Sequence, residues 1–233
     1  MIIALNNKSN LKKDEFIEYN EKLNNLSTNH EIILCPTYLN IPEFNSKHIK
    51  LGAQNVSKTI NGAYTGEVAA SQLKSYGVEY CIVGHSERRE YQKENNNQIY
   101  EKIIRLFEED ITPILCIGEA KEEYDNNETK DVLREEIESA ISNLTQLELK
   151  KLIIAYEPIW SIGTGVIPTV EEIDDILSYI KTLLPNCKIL YGGSANENNI
   201  DILNDCKYID GYLLGGLSLK PENLQIFLDK INK

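Results

Sequence analysis

Metal-binding and cross-linking residues are scarce in this chain. The 233 residues include three histidines, His30, His48 and His85, scattered without the spacing of a metal site. Five cysteines occur, Cys35, Cys81, Cys116, Cys187 and Cys206, an odd number without a CxxC pair. That argues against a disulfide framework or a zinc site, and reduced thiols in a cytoplasmic protein fit better. No apolar run approaches the roughly 18 residues needed to span a bilayer, and the amino-terminal stretch has no basic region ahead of its short apolar run, so a secretory signal is not expected. Basic charge is in deficit, with 24 Lys and Arg against 36 Asp and Glu, a formal net charge of −12. Nucleic acid and anionic membrane are therefore poor partners. An anionic substrate has to be met by local cations and backbone N–H groups. The GxGxxG dinucleotide fingerprint follows none of the apolar runs, and neither a cofactor nor a metal is expected.

Hydrophobic residues make up 42% of the chain, enough for a substantial core. Eight short apolar runs can be traced: Ile2–Leu5, Ile32–Cys35, Ile49–Ala53, Tyr80–Gly84, Pro113–Gly118, Leu152–Tyr156, Lys188–Gly193 and Asp210–Gly215. Most lack polar alternation, as strands buried on both faces of a parallel sheet do. Helical patterns lie between them. Thr169 with Glu172 forms a capping box ahead of an apolar face on Ile173, Ile176, Leu177, Ile180, Leu183 and Leu184. Leu224, Phe227, Leu228 and Ile231 repeat that spacing at the end of the chain, and residues 131–144 carry a third such face. Strands alternating with helices predict an α/β fold, a (β/α)8 barrel forming one domain over residues 1–233. A doubly wound open sheet produces much of the same pattern, and period alone does not show closure. Glu94–Asn97 and Asp125–Glu128 read as solvated loops or helix starts. The loop Gln54–Glu67, with the turn pair Asn61-Gly62, is long enough to be functional or interfacial.

Polar residues follow the strand ends. Asn6 and Lys8 come after the first run, His85 after the fourth, Glu157 after the sixth, Ser194 after the seventh and Gly215-Gly216 after the eighth. In a parallel barrel these ends share one face, where such folds place their active sites. Glu157 precedes a segment bounded by Pro158 on one side and Gly163 and Gly165 on the other, an arrangement suited to a general base beneath a moving lid. An arbitrary Glu is far more often a solvated surface residue, and an arbitrary Lys likewise. Lys8 is the best-placed local cation for a phosphate or a developing oxyanion. The glycines after the last two strands let backbone N–H groups approach a phosphate. A lone GGS or GG is usually only a turn; two at consecutive strand ends are more specific. Trp160 suits lid packing and simple core equally.

The motifs Asn6-Asn7-Lys8-Ser9-Asn10, AQNV at Ala53–Val56, NGAYTGE at Asn61–Glu67, GHSERR at Gly84–Arg89, LCIGE at Leu115–Glu119, YEPIWSIGTG at Tyr156–Gly165, YGGS at Tyr191–Ser194 and GYLLGGLSL at Gly211–Leu219 occur in order along the whole chain. Together they resemble triosephosphate isomerase. The resemblance implies interconversion of dihydroxyacetone phosphate and glyceraldehyde 3-phosphate, in glycolysis and gluconeogenesis. It implies Asn6, Lys8, His85 and Glu157 as catalytic, with Glu87 holding Lys8 or assisting protonation. Gly163, Ser194, Gly215 and Gly216 would bind the phosphate alongside Asn6 and Lys8. His85 would act as a neutral electrophile, its pKa lowered by a helix starting near Ser86. A homodimer is implied too, with Gln54–Glu67 reaching into the partner and Thr65 near the partner's site. Three departures stand out: Asn7 replaces the family's usual Trp, Ser9 its Met, and Leu217 a common Ala. The chain is also shorter than most members, chiefly before Leu51. Two rivals remain: another phosphate-binding barrel enzyme, and a non-catalytic protein on the same scaffold. No reacting group is lost, which weighs against the second.

Overall fold

The computed structural model describes residues 1–231. Eight strands form: β1 (Ile2–Asn6), β2 (Glu31–Cys35), β3 (Lys50–Ala53), β4 (Tyr80–Val83), β5 (Thr112–Ile117), β6 (Ile153–Tyr156), β7 (Lys188–Tyr191) and β8 (Gly211–Leu214). They pair in parallel in sequence order, and β8 pairs back to β1, closing a barrel. The open-sheet alternative is thereby removed. Each observed strand lies within a residue or two of its apolar run.

Parallel pairing explains the runs. Ala4, Ile33, Cys35, Ile82, Ile114, Cys116, Ile153, Ala155, Leu190 and Leu213 fill the barrel interior. Their strand neighbours, such as Ile3, Leu5, Val83, Ile154 and Ile189, pack outward under the helices. Both faces are dry, so alternation is lost from the sequence. Cys35 and Cys116 act here as small apolar fillers of the interior, and all five cysteines are free thiols.

The helices are α1 (Lys13–Leu23), α2 (Ala70–Ser75), α3 (Ser86–Gln92), α4 (Asn96–Glu108), α5 (Lys121–Asp125), α6 (Thr129–Ile141), α7 (Gln146–Lys151), α8 (Val170–Leu183), α9 (Ile200–Leu203) and α10 (Pro221–Lys230). The capping box at the start of α8 forms as read, with the Thr169 hydroxyl accepting from the Glu172 N–H. Its buried face is Ile173, Leu177 and Ile180, while Ile176 and Leu183 are only half-buried. Between β2 and β3 no α-helix forms. A 3-10 turn at Tyr38–Glu43 covers the barrel there. Of the two readings of Glu94–Asn97 the helix start holds, with Asn95 capping α4. The solvated loop does not: the Glu94 side chain is buried, 2.5 Å from both Arg88 Nε and Lys102 Nζ. No helix among the described residues is long and apolar enough to cross a membrane.

Candidate active site

The inward alternation of the strands continues one step beyond the sheet, and there the chemistry begins. Two residues past Ala4 comes Asn6; past Ala155 comes Glu157; past Cys116, Leu190 and Leu213 come Gly118, Gly192 and Gly215. The mouth is thus the next layer of the barrel, with glycine where space is required. A Cβ at Gly192 would lie 2.8 Å from Glu157 Cγ, and one at Gly118 would collide with the Glu157 carbonyl oxygen at 1.7 Å. Gly192 leaves room for the Glu157 side chain and Gly118 for its backbone. On β4 the alternation is broken on purpose. Gly84 takes φ 69°, a left-handed conformation open to glycine, and the turn delivers His85 to the mouth.

A cavity of about 440 Å3 opens at this face. Its wall includes Asn6, Lys8, His85 and Glu157, and also Gly163, Ser194, Gly215 and Gly216. Glu87 lies just behind, with Oε1 2.6 Å from Lys8 Nζ. Residues following five different strands, β1, β4, β6, β7 and β8, therefore converge. Thr65 does not join them: it sits on the exposed stretch of its own loop.

Lys8 holds a left-handed backbone, φ 50°, which is costly for a residue with a side chain. Asn6 supports it, because Asn6 Oδ1 accepts the Lys8 N–H at 3.0 Å. His85 caps α3, its Nδ1 accepting the Glu87 N–H at 3.3 Å. Its Nε2 stands 3.2 Å from Glu157 Oε1. The other carboxylate oxygen accepts the Ser86 N–H at 3.4 Å, and the Cys116 thiol also donates to this side chain.

The helix start near Ser86 is where the sequence puts it, but the expected lowering of the His85 pKa is not met in this state. Burial works against the cation; the charge and hydrogen bond of Glu157, with help from Glu87, outweigh it and hold the imidazole above its ordinary value. The same contact has the opposite sign for Glu157. Burial pushes its carboxyl up, and His85, the Ser86 N–H and Cys116 together pull it below the usual range. Helix-start polarity is thus overridden by a carboxylate in contact with the ring.

The segment after β6 has fixed and free parts. Trp160 is neither core nor loose: its Nε1–H donates to buried Glu119 at 2.8 Å, and its ring lies 4.5 Å from Tyr124. Beyond Ser161 the chain is held sparsely. Ser194 Oγ donates to the Ser161 carbonyl at 2.5 Å and accepts the Gly165 N–H at 3.3 Å. Gly163 and Gly165, at φ 72° and 80°, have open space where a Cβ would be. The segment is thus anchored at Trp160 and carries positive-φ glycines with open space around them.

Sequence reasoning missed the support behind the reacting groups. Cys116 touches Glu157, Glu119 anchors Trp160, and Glu136 accepts the Gly118 N–H at 3.0 Å while pairing with Arg89 at 3.0 Å. Burial pushes the Glu136 carboxyl up to about 7, against the pull of Arg89 and that N–H. Parity would have found Cys116 and Gly192, since both belong to the inward set. Glu136 gives no such signal, being one acidic residue among several on α6. No group of three or more metal-ligating side chains occurs among the described residues.

A sequence model of the triosephosphate isomerase family matches residues 1–233. The triosephosphate isomerase of Clostridium botulinum strain Langeland is 38% identical to this chain, the match covering 98% of each. That of Clostridium beijerinckii is 38% identical over 94% of this chain and 95% of its own length. The Pseudoalteromonas translucida protein of the same name is 36% identical over 95% and 93%. Barrel, mouth and whole-length identity agree, and the chain belongs to the triosephosphate isomerase family.

Proposed function

We infer that this chain interconverts dihydroxyacetone phosphate and D-glyceraldehyde 3-phosphate through an enediolate, as an enzyme of glycolysis and gluconeogenesis in the cytoplasm. The observation that carries the reading is the buried Glu157–His85 pair facing Lys8 across a cavity edged by glycine N–H groups. Glu157 takes the proton from the carbon beside the carbonyl and returns it to the neighbouring carbon. His85 and Asn6 hydrogen-bond the two oxygens, and Lys8 balances the negative charge that develops there. Gly163, Ser194, Gly215 and Gly216 hold the phosphate through backbone N–H donors. Glu87 fixes the Lys8 ammonium in place.

Substrate changes the electrostatics in a useful direction. Glu157 has to leave His85 to reach a carbon-bound proton. Once apart, His85 loses the charge that sustains its cation, and burial returns it toward the neutral form that donates through Nε2. Glu157 loses the contacts that pull it down, while its burial remains, so it becomes a stronger base. Closure of the segment around Gly163 would exclude water and strengthen each of these interactions.

A homodimer belongs to the same reading. Beside Lys8 a second cavity, of about 410 Å3, is lined by Ser9, Thr37, Tyr38, Gln54 and Tyr91 among others. Leu39, Ile60, Tyr64 and Tyr91 are large apolar side chains left exposed on this side or on the projecting loop. A partner's loop 54–67, bringing Thr65 toward Asn6 and His85, would fill that cavity. Light scattering on active protein is expected to give twice the chain mass, and a fully active monomer would remove this part of the reading. For the reaction itself, a coupled isomerase assay on purified protein is decisive. Turnover abolished in Glu157→Gln is expected, and no activity in the unaltered protein would reject the assignment.

A further inference from the structure

Asn7 lies immediately between the two residues expected to touch substrate oxygens, yet its side chain points away from the cavity and is almost wholly buried. Its amide donates to Tyr19 Oη at 3.1 Å and to Ser218 Oγ at 3.3 Å. The Tyr19 hydroxyl donates to the Ser218 carbonyl at 2.6 Å, and the Ser218 hydroxyl donates to the Asn6 carbonyl at 3.2 Å. Tyr19 and Ser218 are buried as well. Both hydroxyl protons are committed to carbonyls, so only the NH2 side of Asn7 can satisfy the two hydroxyl oxygens. That fixes the amide's orientation and leaves Asn7 Oδ1 without a hydrogen-bond partner among the described residues. A buried acceptor left unpaired is destabilising, a penalty that apolar packing of the same space would not carry.

The position of this cluster is what gives it meaning. The pairing of β1 with β8 ends at Leu5 and Leu214. Asn6 and Lys8 continue from one strand; Gly215 and Gly216 continue from the other, and Ser218 lies in the 3-10 turn that Gly216 opens. The cluster therefore takes over where the sheet hydrogen bonds stop, tying the oxygen-contacting segment to the phosphate-contacting turn.

We propose that Asn7, Tyr19 and Ser218 are positioning residues, a buried polar tie that sets the distance between the Asn6–Lys8 segment and the Gly215–Gly216 phosphate turn and so holds a triose phosphate at the length the reaction requires. This rests on those segments being the substrate contacts. Neither Asn7 nor Tyr19 reaches the cavity, so the tie acts through its neighbours.

Tyr19→Phe tests it, because the ring and its packing 6.2 Å from Phe16 survive while the hydroxyl is lost. Two probes separate the ends of the site. Inorganic phosphate reads the phosphate turn alone, and 2-phosphoglycolate, which carries a carboxylate on a two-carbon phosphate, reads both ends at once. Tyr19→Phe is expected to bind inorganic phosphate within a factor of about two of the unaltered protein, to bind 2-phosphoglycolate about tenfold more weakly, and to lose about tenfold in kcat with little change in KM. Ser218→Ala, a smaller perturbation, is expected to give the same pattern and serves if Tyr19→Phe folds poorly. Equal weakening of both probes, or unchanged 2-phosphoglycolate binding beside a lowered Tm, would make the cluster merely structural and overturn the proposal. If Lys8→Ala binds 2-phosphoglycolate as tightly as the unaltered protein, the site reading itself fails, and the proposal with it.

Discussion

On one side of the mouth, at the ends of β4 and β6, the chemistry is carried by buried side chains. Glu157 and His85 are each about 95% buried, and their partners are the Ser86 and Glu87 N–H groups and the Cys116 thiol. On the other side, after β6 to β8, the groups on offer are the backbone donors of Gly163, Ser194, Gly215 and Gly216, and Gly163 and Gly216 are exposed. A proton-transfer group gains basicity from burial, so it must be enclosed even without ligand. A phosphate site serves an ion that arrives with its own charge, and it can stay open until the ion is bound. The first side is therefore fixed by packing and the second by conformation.

If that division is right, the largest effect belongs to Glu157. Glu157→Gln removes the base but keeps the shape that fits the space beside Gly192. It is expected to lower kcat by about 10²–10⁴-fold, with substrate affinity and far-UV CD little changed. A coupled assay with pre-steady-state substrate binding reads both. Activity within a fewfold of the unaltered protein would remove Glu157 from the reaction. Lys8 spans the two sides, and Lys8→Ala should cost about 10²-fold or more in kcat/KM. The same variant frees Glu87, now paired at 2.6 Å, to sit as an uncompensated negative charge near the phosphate. Partial recovery in Lys8→Ala with Glu87→Gln, measured as tighter inorganic phosphate binding than in the single variant, would show that repulsion.

The same division decides what could be read from sequence. Strands β1 to β8 were legible because two dry faces leave continuous apolar runs, and α8 because Thr169 and Glu172 advertise its start. Closure was not legible: β1–β8 pairing depends on the twist summed around all eight strands, which no local pattern encodes. Asn6, Lys8, His85 and Glu157 stood out as polar residues just after apolar runs, but a lone Glu or Lys is usually a surface residue, and it was their convergence at strand ends with the motifs around them that brought them forward. Their electrostatic state did not follow. The sign of the His85 shift depends on a 3.2 Å contact with a residue 72 positions away along the chain. The glycines were visible only as punctuation, since Gly192 serves Glu157 by lacking a side chain. Glu94, in a polar stretch, looked solvated, because nothing local shows that Lys102 and Arg88 reach it from α4 and α3.

Gly216 offers the sharpest test on the phosphate side. Nothing lies within 4 Å of a Cβ built there, so Gly216→Ala is expected to fold with unchanged Tm. The added methyl stands at the cavity wall, where a phosphate would approach the N–H. KM should rise roughly tenfold, a loss of about 1.4 kcal/mol, with kcat less affected. Gly193 is a contrast, because its Cβ would meet Tyr191 Oη at 2.3 Å and Gly193→Ala should lower Tm. Equal Tm losses in both would mean that the phosphate side is packed as tightly as the proton-transfer side. Smaller in effect on activity is Trp160→Phe, which leaves Glu119 one donor short with only the Tyr156 hydroxyl at 3.2–3.3 Å. Such a loss costs about 1–3 kcal/mol. Calorimetry and the temperature dependence of kcat would separate damage to the hinge from damage to the fold.

The Glu157–His85 contact also leaves a weaker mark, on stability. His85 stands above its ordinary pKa of 6.5 in the folded protein, so its contribution is complete below that value and is lost as pH rises through the folded pKa. Glu157 stands below its ordinary 4.5, so its contribution is complete above that value and is lost as pH falls through the folded pKa. Together they stabilise most between about 4.5 and 6.5. Glu136 has the opposite slope, raised to about 7, and weakens the fold as pH climbs from 4.5 toward that value. The raw Tm profile mixes these, whereas the difference between unaltered protein and Glu157→Gln removes all of the Glu136 slope except the smallest contribution, that of the Glu157 charge itself. That difference is expected to be greatest near pH 5.5 and to narrow at both pH 3.5 and pH 8. For a chain of this length each kcal/mol is worth about 2–4 °C, within reach of scanning calorimetry. A difference that stays flat from pH 3.5 to 8 would mean that carboxylate and imidazole do not meet in the free protein. The enclosed side of the mouth would then be as dependent on ligand for its order as the glycine side.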